Sequence, residues 1–352
     1  MSEIVEKLTE AGIHPYGSEA LKTYEERITR YLAREYQRQK SAGHTLESLG
    51  VSTDKGPMWE ETESLMDEHF DASLELFQGF LDPEFMAYTM AQFGDTPDEI
   101  ISSADSLEDA ERHKFKVICE RAGIKGDERI FNVGCGFGPL ETYLFETYPN
   151  LDITSITPSK TQIGYIKACM EKLGHPISQW KLRLIEGSFG EVPLKELGEA
   201  EYDVVFAVGA FEHINNLDLA FQRISQLLKP EGKCYLHLIV WKIVIPQFFD
   251  AEQTLIGKYF PGGKVWPFQT IAEQNRYFHL QESWFLNGMN YWRTLDEWHR
   301  LYWQNMDELF GPVISTEEEA RHWNDYFVLS KACFAPFDGS LYGNGQYLFQ
   351  KR

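Results

Sequence analysis

Positive charge is scarce in this 352-residue chain: 33 Lys and Arg stand against 54 Asp and Glu, a formal net charge of −21. Such a surface repels phosphate backbones and anionic lipid, which argues against nucleic acid as a partner, and the same field welcomes a cationic small molecule. An ordinary acidic soluble surface accounts for the charge equally well. Cysteine is sparse too. Cys119, Cys135, Cys169, Cys234 and Cys333 are scattered, with no C-x-x-C pair and no His spacing suited to zinc. That pattern argues against a disulfide framework and a metal site, and for a reduced, cytoplasmic setting. No run of about 18 apolar residues occurs, and the N-terminus MSEIVEKLTEAGIHPYG has no apolar core, so neither an integral membrane segment nor a secretory signal is expected. Repeats and low-complexity tracts are absent.

What is present is a globular mixture, 43% hydrophobic and 25% charged. Residues 1 to about 100 read as helices without strands. SEALKTYEERITRYLAREYQRQK and MDEHFDASLELFQGFL both space apolar residues at helical intervals, so this region is expected to form a helical cover. SLEDAERHKFKVICERAGI is an amphipathic helix ending at Gly123. From 101 to 352 strands and helices alternate: ERIFNV, LETYLFETY, DITSIT, TQIGYIKACMEKLG, KLRLIEG, YDVVFAVG, LDLAFQRISQLL, KCYLHLIV. Five apolar strands with intervening helices predict an α/β class, a Rossmann-like, doubly wound parallel sheet. Residues 241 to about 310, rich in aromatics and turn signals, interrupt the rhythm and read as a substrate-side insertion. YGNGQYLFQKR reads as a turn and a last strand.

The first strand runs into Asn132-Val-Gly134-Cys-Gly136-Phe-Gly138-Pro139. Glycines there let the backbone approach a ligand that a Cβ would hold off. The spacing is G-x-G-x-G, not the G-x-G-x-x-G that closes a helix N-terminus around a pyrophosphate, so a nicotinamide dinucleotide fits poorly. S-adenosyl-L-methionine, which has no phosphate, fits better. At the end of the second strand, where a dinucleotide fold presents an acid to the ribose, Thr157-Pro-Ser159-Lys-Thr-Gln162 offers hydroxyls and an amide. Thr157 or Ser159 would serve equally as a helix cap.

VGCGFG, ITPSKTQ, AFEHINN, LLKPEGKCYLHLI, KYFPGG and NYWRTLDEW stand in the order seen in cyclopropane-fatty-acid synthases and their relatives. The resemblance spans about residues 66 to 352. ICERAGIKGDERIFNVGCGFG, FEHINNL, LNGMNYWRT and GNGQYLFQKR look most similar to the plant branch, the coclaurine and pavine N-methyltransferases. The resemblance implies a class I methyltransferase fold and S-adenosylmethionine as methyl donor. Carried over residue by residue, the donor contacts fall on Tyr88, Thr89, Gly134, Gly136, Thr157, Gln162 and Ser188. Two positions depart from the pattern. Asn132 replaces an acidic residue, and Met90 replaces the cysteine that lies at a bicarbonate site in the cyclopropane synthases, which puts a bicarbonate-assisted step in doubt.

Glu212 and His213 follow the fourth strand directly, at the edge where open α/β sheets bind ligands. The resemblance adds His237 and Tyr291 around the reacting centre. Glu212 would accept a proton or hold a cation, His213 and His237 would orient or relay, and Tyr291 would donate a hydrogen bond or face the cation. Taken singly, a Glu-His pair suits a solvated turn and His237 a satisfied core position. Trp241, Phe248, Phe249, Trp266, Phe268, Trp284 and Phe285 could line a pocket or simply pack.

The leading expectation is an S-adenosylmethionine-dependent methyltransferase acting on a small-molecule amine, favoured by Asn287-Gly-x-x-Tyr291 and Met90. The alternatives are cyclopropanation or C-methylation of an unsaturated acyl or isoprenoid chain, supported by the stretch Thr294–Trp298, and a non-catalytic binding scaffold. Nothing in the sequence fixes the oligomeric state, which leaves a homodimer open.

Overall fold

The chain enters through helices because its early segments carry helix start and stop signals. The computed structural model describes residues 2–59, 73–148, 150–179, 181–249 and 264–352. Helix α1 spans Glu3–Glu10 and α2 Glu19–Ala42. Ser18 caps α2 by accepting from the Leu21 amide, and Gly43 ends it in the left-handed conformation. Two short helices follow, α3 (Leu74–Gln78) and α4 (Pro97–Ser102). The start of the expected helix MDEHFDASLELFQGFL lies outside the described residues. Helix α5 (Leu107–Ala122) opens on a Ser106/Asp109 capping box and stops at Gly123, φ +72°, as its sequence signals required.

The alternating part then forms β1 (Arg129–Val133), α6 (Pro139–Thr147), β2 (Asp152–Thr157), α7 (Lys160–Glu171), β3 (Leu182–Glu186), α8 (Leu194–Leu197), β4 (Tyr202–Val208), α9 (Leu217–Leu227) and β5 (Leu228–Trp241). These strands pair in parallel in the order β3-β2-β1-β4-β5. The chain runs outward from β1 through β3, then returns to the other side of β1 at β4. Ligand crevices open at such a reversal, outside the carboxyl ends of the strands.

The segment expected as an insertion also contributes to the sheet. Beyond α10 (Phe268–Ala272) it supplies β6 (Phe278–Leu286), a strand of the sheet itself, and α11 (Met289–Gln304) and α12 (Met306–Leu309). After α13 (Glu317–Phe334), the last strand β7 (Tyr342–Lys351) pairs antiparallel with both β5 and β6, giving seven strands in the order β3-β2-β1-β4-β5-β7-β6. The sheet is therefore mixed rather than wholly parallel. A register shift between Leu280 and Glu282 breaks the alternation in β6, and its aromatic content then resembles a loop over a substrate. The FPGG turn signal lies outside the described residues.

Each face of the sheet carries an apolar layer. Phe115, Ile130, Leu144, Ile153 and Phe206 belong to one, and Val133, Val205, Phe221, Leu236 and Phe349 to the other. A third, aromatic-rich cluster joins the N-terminal helices to α11, α13 and the ends of β5 and β7, through residues such as Tyr36, Phe80, Trp241, Trp298, Phe327 and Phe334. An ion network fixes the same contact. Lys331 of α13, almost fully buried, reaches Glu25 of α2 at 2.7 Å and Asp296 of α11 at 2.9 Å. Tyr16 donates to Asp296 at 2.8 Å and the Trp292 indole to Glu25 at 3.1 Å. All five cysteines are buried and unbridged, and no described helix is long and apolar enough to cross a membrane.

Candidate active site

The carboxyl ends of β1, β2, β3 and β4 surround a cleft. The glycine turn after β1 forms its floor. Gly134 and Gly136 take φ +69° and +59°, and the Gly134 and Cys135 amides both donate to the Ile156 carbonyl of β2 at 3.0 and 3.1 Å. A Cβ on Gly134 would fall 2.7 Å from Ala210, so the first glycine lets the β1 and β4 turns approach each other. Gly138 is not part of the wall. It starts α6 at φ +81°, against Ile166 and Ile177.

Thr157, Gln162 and Ser188 line the cleft. Ser159 instead caps α7, accepting from the Gln162 amide at 3.2 Å. The Thr157 hydroxyl donates to the Gln162 side-chain carbonyl at 2.6 Å, which leaves the Gln162 NH2 to donate toward a ligand oxygen. Tyr88 and Thr89 form the opposite wall. Thr89 accepts from Lys114 Nζ at 2.7 Å, and its methyl occupies the space that a Cβ on Gly209 would need. Lys114 and Glu111, both on α5 and both fully buried, form an ion pair behind Thr89. Burial pushes the Glu111 carboxyl up to about 8 and lowers Lys114. Sequence reasoning missed this pair, because charges three apart on an amphipathic helix look like a solvated face.

The exchanged acid before the glycines has a counterpart in space. Asn132 donates from Nδ2 to Glu141 Oε1 at 2.8 Å, and the Ser155 hydroxyl donates to the same oxygen. A fully buried carboxylate thus reaches β1 from α6. Among the described residues no Lys, Arg, Asp or Glu lines the cleft, and Pro139 takes an N–H away from the first turn of α6, where a phosphate would be bound. Hydroxyls, amides and glycine backbone suit an uncharged nucleoside carrying an amino-acid tail. That is the form of S-adenosylmethionine, and its fit leaves a pyrophosphate without partners.

The four catalytic candidates divide between two places. His213 lines the cleft. Glu212, beside it on the turn Phe211–His213, is buried behind the wall; its Oε1 accepts from the Ile239 amide at 2.9 Å and its Oε2 has no hydrogen-bond partner among the described residues. Burial raises its carboxyl to about 7, against the opposing pull of backbone hydrogen bonds. Tyr291 lies in electrostatic reach of Glu212. Burial, then the Tyr326 hydroxyl, then Glu212 drive its phenol well above the usual range. The Tyr291 ring stacks on Phe334 at 4.5 Å, Phe334 on Tyr342 at 4.2 Å and Tyr342 on Trp241 at 3.8 Å. Tyr36 of α2 meets the Trp241 end edge-on at 4.8 Å.

His237 is placed apart from the cleft wall, fully buried between β4 and β7. Its Nδ1 faces Gln346 Nε2 at 3.0 Å and its Nε2 faces Asn344 at 2.9 Å. Gln346 Oε1 already accepts from Tyr235 and Arg121, so its NH2 donates to Nδ1 and the imidazole proton sits on Nε2. Rotating the Asn344 amide by a half turn would give that proton an acceptor and pair the otherwise orphaned Asn344 Oδ1. Burial, with Lys114 and Arg121 nearby, holds the ring well below its usual pKa, hence neutral. Of the other aromatics proposed for a pocket, Trp266 is a core residue whose indole donates to the Ile214 carbonyl at 2.8 Å.

Comparison with known proteins agrees with this geometry. The family model described as mycolic acid cyclopropane synthetase matches residues 59–341. A probable (S)-tetrahydroprotoberberine N-methyltransferase 2 from Papaver bracteatum is 28% identical over 266 residues, 71% of each chain. The cyclopropane-fatty-acyl-phospholipid synthase of Escherichia coli K12 is 31% identical over 239 residues, 67% of this chain and 55% of that protein. Among solved structures, coclaurine N-methyltransferase bound to N-methylheliamine and SAH superposes with a TM-score of 0.80 at 22% identity, over 99% of this chain and 100% of that one. Fold, donor cleft and sequence agree, and the chain belongs to the mycolic acid cyclopropane synthetase family of S-adenosylmethionine-dependent methyltransferases.

Proposed function

We propose that the methyl acceptor is a small-molecule amine and that Glu212 receives its proton. The observation that carries this reading is the Glu212 carboxylate: buried, one oxygen unpartnered among the described residues, and coupled to the tyrosines of an aromatic stack. A buried carboxylate among aromatic faces suits a cation that becomes a neutral nucleophile. S-adenosylmethionine supplies an electrophilic methyl group on a sulfonium. As the N–C bond forms and the C–S bond breaks, the nitrogen must shed a proton, and a carboxyl held near 7 is poised to take it. Tyr291 would face the developing cation, His213 would orient the acceptor at the cleft, and neutral His237 would fix the β4 turn from below. Tyr88, Thr89, Gly134, Gly136, Thr157, Gln162 and Ser188 would hold the donor, with Gly138 setting the turn. The helices of residues 1–100 would cover the acceptor side, and the enzyme needs mainly to align the reactants and exclude water.

The test is incubation with methyl-labelled donor and a crude metabolite extract. Label in basic, polar products supports the amine. The identity to a cyclopropane synthase favours the second reading, attack by an alkene, and label confined to extracted lipid would overturn the first in its favour.

A further inference from the structure

We propose that Trp59 is a donor-binding residue that the N-terminal segment contributes, forming the outer wall of the adenine end of the cleft and donating its Nε1–H to a ring nitrogen of the base. The inference rests on the cleft's binding S-adenosylmethionine. The glycine turn at β1 and the Tyr88–Thr89 wall by β4 mark where the amino-acid tail is received, and Thr157 and Gln162 mark the ribose. The base must then extend to the end of β3, where Gly187, Ser188 and Phe189 line the cleft. Trp59 lines the same end. Its indole sits over Gly190, where a Cβ would fall 2.6 Å from Nε1 and 3.0 Å from Cδ1, so glycine is what admits the ring.

Trp59 is held there by backbone contacts to the β4–α9 connection. The Asn215 amide donates to the Met58 carbonyl at 2.8 Å, Asn216 Nδ2 to the Gly56 carbonyl at 2.8 Å and the Asp218 amide to the Thr53 carbonyl at 3.1 Å. The indole Nε1 is buried yet has no hydrogen-bond partner among the described residues. Buried indole N–H groups are normally paired, and adenine presents ring nitrogens as acceptors along its edge, where an indole meeting the base edge-on can donate. A flat apolar ring carrying one unpaired donor matches that ligand in shape and in polarity.

The full-length protein is titrated with SAH, and with 1-deaza-, 3-deaza- and 7-deaza-SAH, alongside W59F and W59A. One deaza analogue should bind the wild type about fivefold more weakly, the effect of one lost hydrogen bond, and W59F should show no such penalty for it. W59A should lose about tenfold or more toward every ligand, because the apolar contact of the indole with the base edge is lost as well. Wild-type tryptophan fluorescence should be quenched by SAH, and W59F should lose much of that quench. If W59A binds SAH as the wild type does, or if no analogue discriminates wild type from W59F, the inference fails. If the wild type binds no SAH, the donor assignment of the cleft fails instead. Equal melting temperatures for W59F and wild type show that the readout concerns the ligand and not the fold.

Discussion

Glu212 accepts one hydrogen bond from the Ile239 amide at 2.9 Å, and its second carboxylate oxygen is buried with no partner among the described residues. Polar atoms in protein interiors are seldom left this way, because an unmet acceptor costs about 1–3 kcal/mol. An arrangement that costs stability just behind the wall of a ligand cleft marks a candidate functional group.

Two pH dependences follow from Glu212. Its pKa is raised from the ordinary 4.5 to about 7 in the folded protein. A raised acid is bound to its proton more tightly in the native state, so its contribution is fully present below about 4.5 and lost as pH rises through about 7. E212Q should therefore gain stability relative to wild type as pH goes from 5 to 8, by up to about 3 kcal/mol, read by urea denaturation at the two pH values. The same substitution should lower kcat/KM by about 100-fold or more and remove the limb that rises through pH 7 in the wild-type rate profile.

His237 should not titrate between pH 5 and 8, since burial keeps it neutral. Its imidazole resonances, followed by NMR, should stay fixed across that range. H237L should destabilise the fold by about 2–4 kcal/mol by stranding Gln346 and Asn344. A resonance that moves with a midpoint near 6.5 would contradict the arrangement described here.

Gly134 and Gly136 should respond differently to alanine. G134A meets Ala210 at 2.7 Å on a strained φ, whereas a Cβ on Gly136 meets no protein atom within 4 Å. The first should lower the melting temperature sharply, and the second should cost only about 1 kcal/mol of backbone strain while weakening donor binding. Calorimetric melts and SAH titration separate the two effects.

Lys331 is the cation that ties α2 to α11 and α13. K331M leaves Glu25 and Asp296 without it, at a cost of about 2–3 kcal/mol once their partial exposure is allowed for. Limited proteolysis should then cut within the N-terminal helices faster than in wild type, with the sheet domain surviving longer.

Much of the candidate donor cleft could be read along the chain because it is built from short, contiguous segments. The β1 glycine turn and the Thr157–Gln162 stretch each declare themselves within about six residues, and strand alternation fixes where they sit. Partners far apart in sequence were not visible. Glu141 compensates Asn132 across a turn, Lys114 reaches Thr89 from a helix read as solvated, and Trp59 arrives from a segment with no pattern of its own. The strand β6 escaped notice because the register shift at Leu280 interrupts its period.

The sequence by itself determined the α/β class, the parallel core β1–β5 and a methyl-donor site, because those rest on local backbone needs: apolar periodicity, caps, and glycine where φ is positive. Only the tertiary structure decided that Glu212 is buried within electrostatic reach of an aromatic stack assembled from β5, α11, α13 and β7, and that His237 is locked between two amides. Burial and orphaned hydrogen-bond groups are properties of neighbours brought together by packing, and a side chain's own position in the chain carries no record of them.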